Sequence, residues 1–491
     1  MRAGPRQLRH RAGLAALLPF AALVALAACA EGAADREAPL PLLVDRHPNL
    51  IVVLADDLGW NDLSWHGSEI STPNIDRIFR EGVELDRFYV SPMCTPTRAA
   101  ILTGRSPLHF GLLFSVLMNW SPEGLPAREV TLAERFRQAG YATAAIGKWH
   151  LGHARRDYLP TAQGFEHFTG MLGGWIDYFS HREPLDGSLD WQRDGASLHE
   201  EGYATRLLGD AALGFLSGRD RERPFLLYFA PNAPHAPLQV PEENAALYRH
   251  LPDPKRSAYA GMVDALDREV GRILEGLDRE GIADQTIVVF LSDNGGLPSQ
   301  GGRNAPLRGE KFTTWEGGIR VPAAVRWPGR LPGGRKSGQL LRDHDLFPTL
   351  LAAAELAPLG APAEGMNLWS VLQGAPERSR EPFFFRVEWR LSIFRAALDG
   401  TWKLVTQEIR GYPGSRDTAL YELGSDPRER IDLAGREPER VVALERALAA
   451  WEARYPEDGL RYSEPPADWR APDDLRDLVR QGAAGGAARA Q

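Results

Sequence analysis

Cysteine is nearly absent: the 491 residues hold two, Cys29 and Cys94. Two cysteines cannot build a disulfide framework. An excess of positive charge is missing as well, with 57 Lys and Arg against 65 Asp and Glu and a formal net charge of −8. That balance argues against a nucleic-acid partner and makes any anion-binding site a local feature. No long apolar run follows the first one, so nothing later in the chain has the length of a membrane span. Internal repeats are also lacking.

The single apolar run lies at the start. Arg2, Arg6, Arg9 and Arg11 precede LAALLPFAALVALAA, and no acid occurs before Glu31. This is a charged segment followed by the apolar segment of an export signal, too short to span comfortably. It ends LAAC, Leu26 to Cys29, which is similar to a bacterial lipoprotein signal with an acylated cysteine. The competing reading is a plain signal peptide cut at a nearby small-residue site. The expectation is an exported protein, periplasmic or anchored to the outer membrane, touching membrane only through an N-terminal lipid. Residues 1–28 are the signal and 29–47 a tether. Removing the four arginines of 1–28 takes the charge from −8 to −12. If Cys29 is acylated, Cys94 is left without an intrachain partner. A lone cysteine is ordinarily a buried small hydrophobe; the neighbours of this one argue for chemistry.

From Asn49 the chain alternates strand and helix. NLIVVLA, ATAAIG, PFLLYFA and TIVVFLS are continuous apolar runs, the pattern of strands buried on both faces. TLAERFRQAGY carries a capping box at Thr131 and Glu134, an apolar pair at Leu132 and Phe136, and a stop at Gly140. SAYAGMVDALDREVGRILEGLDREG is a long helix with Met262, Leu266, Val270, Ile273 and Leu277 on one face, closed by Gly281. The fold class is therefore α/β, a large and mostly parallel sheet sandwiched by helices over 48–360. After residue 360 PFFFRVEW, RAALDGTWKLV and TALYEL predict antiparallel strands, with Asp399-Gly400 as a hairpin signal. EPERVVALERALAAWEARY predicts a helix with Val441, Leu444, Leu448, Trp451 and Tyr455 on its face. A smaller α+β domain over 361–470 follows, and 471–491 is expected to be a disordered tail.

Each buried run is followed by chemistry. Asp56 and Asp57 follow the first, Lys148 and His150 the second, His235 the third, and Asp293 and Asn294 the fourth. In a parallel sheet these ends share one edge, where ligands bind. Asp56, Asp57, Asp293 and Asn294 offer oxygen only, suiting Ca²⁺ or Mg²⁺ rather than zinc. Helix capping explains one acid at a strand end, but not a pair at two ends. Arg98, Lys148 and Lys311 add clamps for an anion with several oxygens, such as sulfate or phosphate. His150 and His235 are candidates for proton transfer. In CTPTRAAIL, Pro96 suits the first helical turn, which puts Cys94 at the positive end of a helix dipole, where a thiolate or oxyanion is stabilised.

CTPTR followed by AAILTGR matches the sulfatase signature, C-x-P-x-R with a downstream T-G-R. IVVLADDLGW, GKWHLG, PHAPLQVP, SDNGG and PLRGEKFTTWEGGIRVP resemble that family's remaining segments, in order and spacing. DGTWKLV and ALYELGSDPRE resemble its closing sheet. DYFSH, PLQVPEE and YAGMVDALD look most like the arylsulfatase B branch, which acts on sulfated amino sugars. The resemblance implies an alkaline-phosphatase-like fold and a Ca²⁺-dependent hydrolase of sulfate esters, acting on a small molecule or a sulfated glycan. It implies that a separate maturation enzyme oxidises Cys94 to formylglycine. One hydroxyl of the hydrated aldehyde then attacks sulfur and the other expels sulfate. By the same resemblance Asp56, Asp57, Asp293, Asn294 and residue 94 bind one Ca²⁺, while Arg98 and Lys148 hold the hydrate. Lys148, Lys311 and His235 contact the sulfate, and His235 protonates the leaving oxygen. His150 takes the hydrate proton, and Asp293 helps to deprotonate the attacking hydroxyl. Two alternatives accompany this reading: a phosphonate monoester or phosphodiester hydrolase of the same superfamily, and a lipoprotein that binds sulfated glycan without cleaving it. Trp175, Asp177, Tyr178 and His181 are candidates for a sugar subsite, with core aromatic packing as the favoured reading.

Overall fold

The run NLIVVLA has no polar face, so a strand made of it is stable only with cover on both sides. The computed structural model, which describes residues 47–357 and 363–479, provides that cover. All seven residues of Asn49–Ala55 are buried. Leu50, Val52 and Leu54 belong to one core and Ile51, Val53 and Ala55 to the other, as a period of two requires. The strand pairs in parallel with Thr286–Ser292 on one side and Phe225–Ala230 on the other. Ala142–Lys148 and His167–Met171 extend the parallel set. Together they form the centre of a ten-stranded sheet, with antiparallel strands such as Ala323–Arg326 toward its edges.

Helices sandwich this sheet. Pro254–Arg279 buries Met262, Leu266, Val270, Ile273 and Leu277, the face read from its period. It shares the Ile51 side with Ala204–Gly218. Leu132–Gln138 lies on the Leu50 side, and its Thr131–Glu134 capping box is formed. Cys94–Thr103 packs Ala99, Ile101 and Leu102 into the same core. Among the described residues no helix is long and apolar enough to cross a membrane.

The small sheet runs Phe383–Trp389, Ser392–Asp399, Trp402–Ile409 and Asp417–Glu422, all antiparallel. The hairpin turn sits one residue later than its sequence signal. Asp399 still pairs with Trp402, so the two turn residues are Gly400 and Thr401, with Gly400 at φ 61°. The helix Pro438–Glu452 covers this sheet through Leu444, which packs with Ala397, Leu404 and Leu420, and through Trp451, which stacks on Phe384, while Leu448 joins Leu108, Leu113 and Phe114. A buried ionic cluster fastens the sheet to the main body. Lys403 Nζ is 2.8 Å from Glu316 Oε1 and 2.9 Å from Glu429 Oε1, with all three side chains sealed from solvent. Thr314 Oγ1 adds a 3.0 Å bond to the carbonyl of Arg395.

The expected boundary at 360 and the signal and tether over residues 1–46 lie outside the described residues. The tail expected from 471 is corrected over its first part. Leu475 is buried, and its N–H donates to the Leu189 carbonyl at 2.9 Å. Apolar Leu475 and Val479 give this segment a reason to pack that its polar neighbours mask.

Candidate active site

The four strand ends do converge. Asp56 and Asp57 leave Asn49–Ala55, and Asp293 leaves the adjacent Thr286–Ser292, its N–H bonded to the Ala55 carbonyl at 3.0 Å. Asp57 has φ 64°, a left-handed value that aspartate tolerates better than most residues. The Tyr259 hydroxyl holds its carbonyl at 2.9 Å. Potential ligand atoms of Asp56, Asp57, Cys94 and Asp293 all lie within 4.8 Å of one another, and all four residues are buried.

These carboxylates do not titrate alike. Burial drives Asp56 upward, but Lys148, His235, Arg98 and Lys311 outweigh it and hold the group well below the usual range. Asp293 is pushed up to about 6, by burial first and then by the charge of Asp56, against the pull of Arg98. Crowded acids of this kind ionise together only with added positive charge. Asn294 makes the same point from a neutral atom. Its Nδ2 donates to Asp57 Oδ1 at 2.7 Å, while its Oδ1 is buried with no hydrogen-bond partner. An orphaned carbonyl-type oxygen beside three carboxylates fits a hard divalent cation.

Cys94 opens the helix Cys94–Thr103, as Pro96 predicts, and every residue of that helix is buried. Its Sγ lies 3.6 Å from Asp56 Oδ1. The dipole expectation is corrected here. Burial, with Asp293 and Asp56 adding to it, pushes the thiol up to about 12, against Lys148 and Lys311. Unmodified Cys94 is therefore a protonated thiol, not an activated one.

Three cations answer the three acids. Lys148 Nζ is 2.6 Å from Asp56 Oδ2, and Lys311 Nζ is 2.6 Å from Asp57 Oδ1. Arg98 donates Nε and Nη2 to Asp293 Oδ2 at 3.1 and 2.8 Å and Nη1 to the Lys148 carbonyl at 2.8 Å. Lys148 follows Gly147, at φ 118°, where a Cβ would meet the Ala230 carbonyl oxygen at 2.1 Å. Only glycine lets the two strands approach so closely at that point.

Both histidines have a fixed tautomer. His150 Nε2 lies 2.8 Å from the Leu117 carbonyl, which can only accept, so Nε2 carries the hydrogen. Its Nδ1 keeps a lone pair, buried and unpartnered. Burial, then Lys148, holds this imidazole neutral. His235 Nδ1 donates to the Ala236 carbonyl at 2.7 Å, and its Nε2 lies 3.6 Å from Asp57 Oδ2. Burial lowers its pKa, with Asp57 pulling the other way.

The GGWIDYFSH segment divides. Tyr178 and His181 are buried and stack on Tyr203 and Trp191. Trp175 instead stays half-buried, edge-on to His235 at 6.1 Å. Asp177 accepts from the N–H groups of Phe179 and Ser180 and caps its own loop.

Several positioning groups escape sequence reading. Thr95 Oγ1 donates to the His150 carbonyl at 3.1 Å and accepts from Leu117 N–H at 3.2 Å, joining the two segments that orient His150. The Tyr178 hydroxyl sits 2.8 Å from the His235 carbonyl. Thr95 lies inside the quoted signature and could have been singled out. The Leu117 carbonyl is backbone and leaves no mark in residue type.

Comparison with known proteins agrees with this geometry. The Sulfatase family profile matches residues 48–356. Arylsulfatase J of Mus musculus is 33% identical over 83% of this chain and 77% of its own length. N-acetylgalactosamine-6-sulfatase of Canis lupus familiaris is 33% identical over 89% of each chain. Among solved structures, Ps i-CgsB in complex with k-i-k-neocarrahexaose superposes with a TM-score of 0.78. It is 29% identical and covers 89% of this chain and 98% of its own. A signature cysteine set among crowded acids and lysines, in a chain so matched along most of its length, places this protein in the sulfatase family, hydrolases of sulfate esters.

Proposed function

We propose that this sulfatase cleaves sulfate esters of a glycan through formylglycine derived from Cys94 and one Ca²⁺ held by Asp56, Asp57, Asp293, Asn294 and residue 94. One observation carries the reading: Cys94 lies among three carboxylates balanced by three cations, beside an orphaned Asn294 oxygen. A bound dication leaves that centre with surplus positive charge, as an incoming sulfate requires. Ca²⁺ supplies Lewis-acid charge toward sulfate oxygens, and formylglycine supplies a hydrated aldehyde in place of an inert thiol.

The chain's own groups do the rest. Lys148, Lys311 and His235 bind the sulfate oxygens, with the lysine charges already aimed inward by Asp56 and Asp57. Arg98 fixes Asp293 and, through its carbonyl, Lys148. Asp293, fixed by Arg98 beside residue 94, takes a hydroxyl proton there. His150 Nδ1, with its lone pair free, takes the second such proton. His235 gives a proton to the departing oxygen only from Nε2 of its imidazolium form, because its Nδ1–H is held by the Ala236 carbonyl; the bound sulfate charge favours that form. The glycan assignment is supported by the relatives, one an N-acetylgalactosamine-6-sulfatase and one solved in complex with k-i-k-neocarrahexaose. The DYFSH, PLQVPEE and YAGMVDALD segments support an amino-sugar substrate of the arylsulfatase B branch. Export as a lipoprotein through Cys29 completes the proposal; Cys29→Ala, followed by fractionation into membrane and soluble protein, tests it.

The decisive experiment is the mass of the Cys94 peptide from protein made in a host with the maturation enzyme. Conversion to an aldehyde removes about 18 Da from the cysteine form. Intact cysteine in enzyme that turns over sulfate esters would overturn the nucleophile. Aryl phosphonate turned over faster than aryl sulfate would move the activity to the phosphonate hydrolases of the superfamily.

A further inference from the structure

Lys311 stands at the inner end of a line of aromatic rings that leads into the small C-terminal sheet. Its Nζ lies 5.2 Å from the centroid of Phe312. Phe312 stacks on Trp389, with centroids 4.2 Å and planes 6° apart. Trp389 in turn meets Tyr462 edge-on at 5.2 Å. All three rings are half-buried, and they come from three distant parts of the chain. Phe312 has φ 69°, a left-handed conformation that a bulky residue adopts only at a cost. The fold therefore holds an aromatic ring beside Lys311 against the local preference of the backbone.

Arginines surround the outer end of this line. Arg390 follows Trp389 and lies near the Tyr462 hydroxyl, which donates to Glu464 Oε1 at 2.7 Å. Glu388, fully buried, is shared by Arg386, Arg410 and Arg461. Arg386 is also served by Glu452 at 2.9 Å. The Arg410 and Arg461 side chains remain 42% and 45% exposed. One carboxylate cannot occupy the donors of three guanidiniums, so N–H groups are left over at the surface. This is a local basic and aromatic patch on a chain of net charge −8. Aromatic rings pack on the C–H surfaces of sugars, and guanidinium forks match sulfate and carboxylate oxygens.

We propose that Trp389, Tyr462, Arg390, Arg410 and Arg461 form a subsite for an anionic saccharide chain, holding sugars beyond the one whose sulfate is cleaved. The inference rests on the glycan reading above and extends it. Two observations select this occupant over a protein or lipid surface: ring-to-ring continuity with Lys311, and unspent guanidinium donors in an otherwise acidic chain.

The test is binding of the full-length protein to chondroitin sulfate, heparin and carrageenan, each beside its desulfated form, by affinity electrophoresis and calorimetry. Wild-type protein binds at least one sulfated polymer and prefers it to the desulfated form. Arg390→Ala and Tyr462→Ala leave the partners of Glu388 in place, and combined they weaken that binding by about tenfold or more. Arg410→Gln with Arg461→Gln does the same, with a shallower salt dependence, and a melting temperature that stays above the assay temperature shows that the sheet is intact. Failure of wild-type protein to bind any of the three polymers, or equal binding by the folded variants, overturns the subsite. Binding does not need converted Cys94. Protein with converted residue 94 that binds polymer but releases no sulfate from any ester therefore fails the hydrolytic reading alone.

Discussion

His150 owes its orientation to the absence of a side chain opposite it. A Cβ on Gly174 would sit 2.9 Å from Cε1 and Nε2 of that ring, too close for either to stay. Gly174→Ala should turn the imidazole off the Leu117 carbonyl and lower kcat by about a hundredfold, the scale of a small misplacement at a reacting group. Gly214→Ala is the control: nothing lies within 4 Å of its Cβ, so kcat should hold and the helix gain up to about 1 kcal/mol. His235→Ala separates two roles. If His235 delivers the leaving-group proton, alkyl sulfates lose about 10²–10⁴ in kcat while activated aryl sulfates lose far less. Equal losses on both substrates would assign it to sulfate binding only.

The strands carry the site because each ends where its apolar run ends. That much was legible: NLIVVLA, ATAAIG, PFLLYFA and TIVVFLS stop at the residues that deliver Asp56, Lys148, His235 and Asp293. Helix faces were legible too, since Met262, Leu266 and Val270 repeat with the turn of the helix. What escaped depends on distance in space. Residue type placed Cys94 at a helix start, but it could not weigh the dipole against the burial and nearby acids that raise the thiol. The Asp399-Gly400 signal marked a turn without fixing its register, which cross-strand pairing decides. Phe312, Trp389 and Tyr462 are ordinary apolar residues until the fold stacks them. At this scale the metal prediction follows. Stripping divalent ions with EGTA should lower the melting temperature, and Ca²⁺ should restore it, because a ligand that binds only the folded acids stabilises by mass action. Asp293→Asn should lose most of that restoration; a melting temperature indifferent to Ca²⁺ in the wild type would remove the assigned ion.

Across the whole molecule, the two sheets meet at the segment that bears Lys311. Glu316 lies five residues on, and Lys403 in the small sheet is its buried counter-ion. Lys403→Ala leaves Glu316 and Glu429 without their ammonium in a sealed space. Such a break costs about 3–5 kcal/mol, seen as a fall in the denaturant midpoint. Activity lost ahead of unfolding would show that the small sheet also steadies the lysine.

The depth of Cys94 also sets an order of events. The helix that begins with it is sealed along its length, and its walls come from strands far apart in sequence. No second enzyme could grip CTPTR once those strands had closed. On the formylglycine reading proposed above, oxidation of residue 94 would belong to the interval between synthesis and folding, with one opportunity for each molecule. Folded Cys94 protein offered to the maturation enzyme should stay unconverted, while a peptide of residues 91–105 is modified. The yield of working enzyme then becomes a race between two rates, and a host that folds this chain faster would make more protein and less of it active.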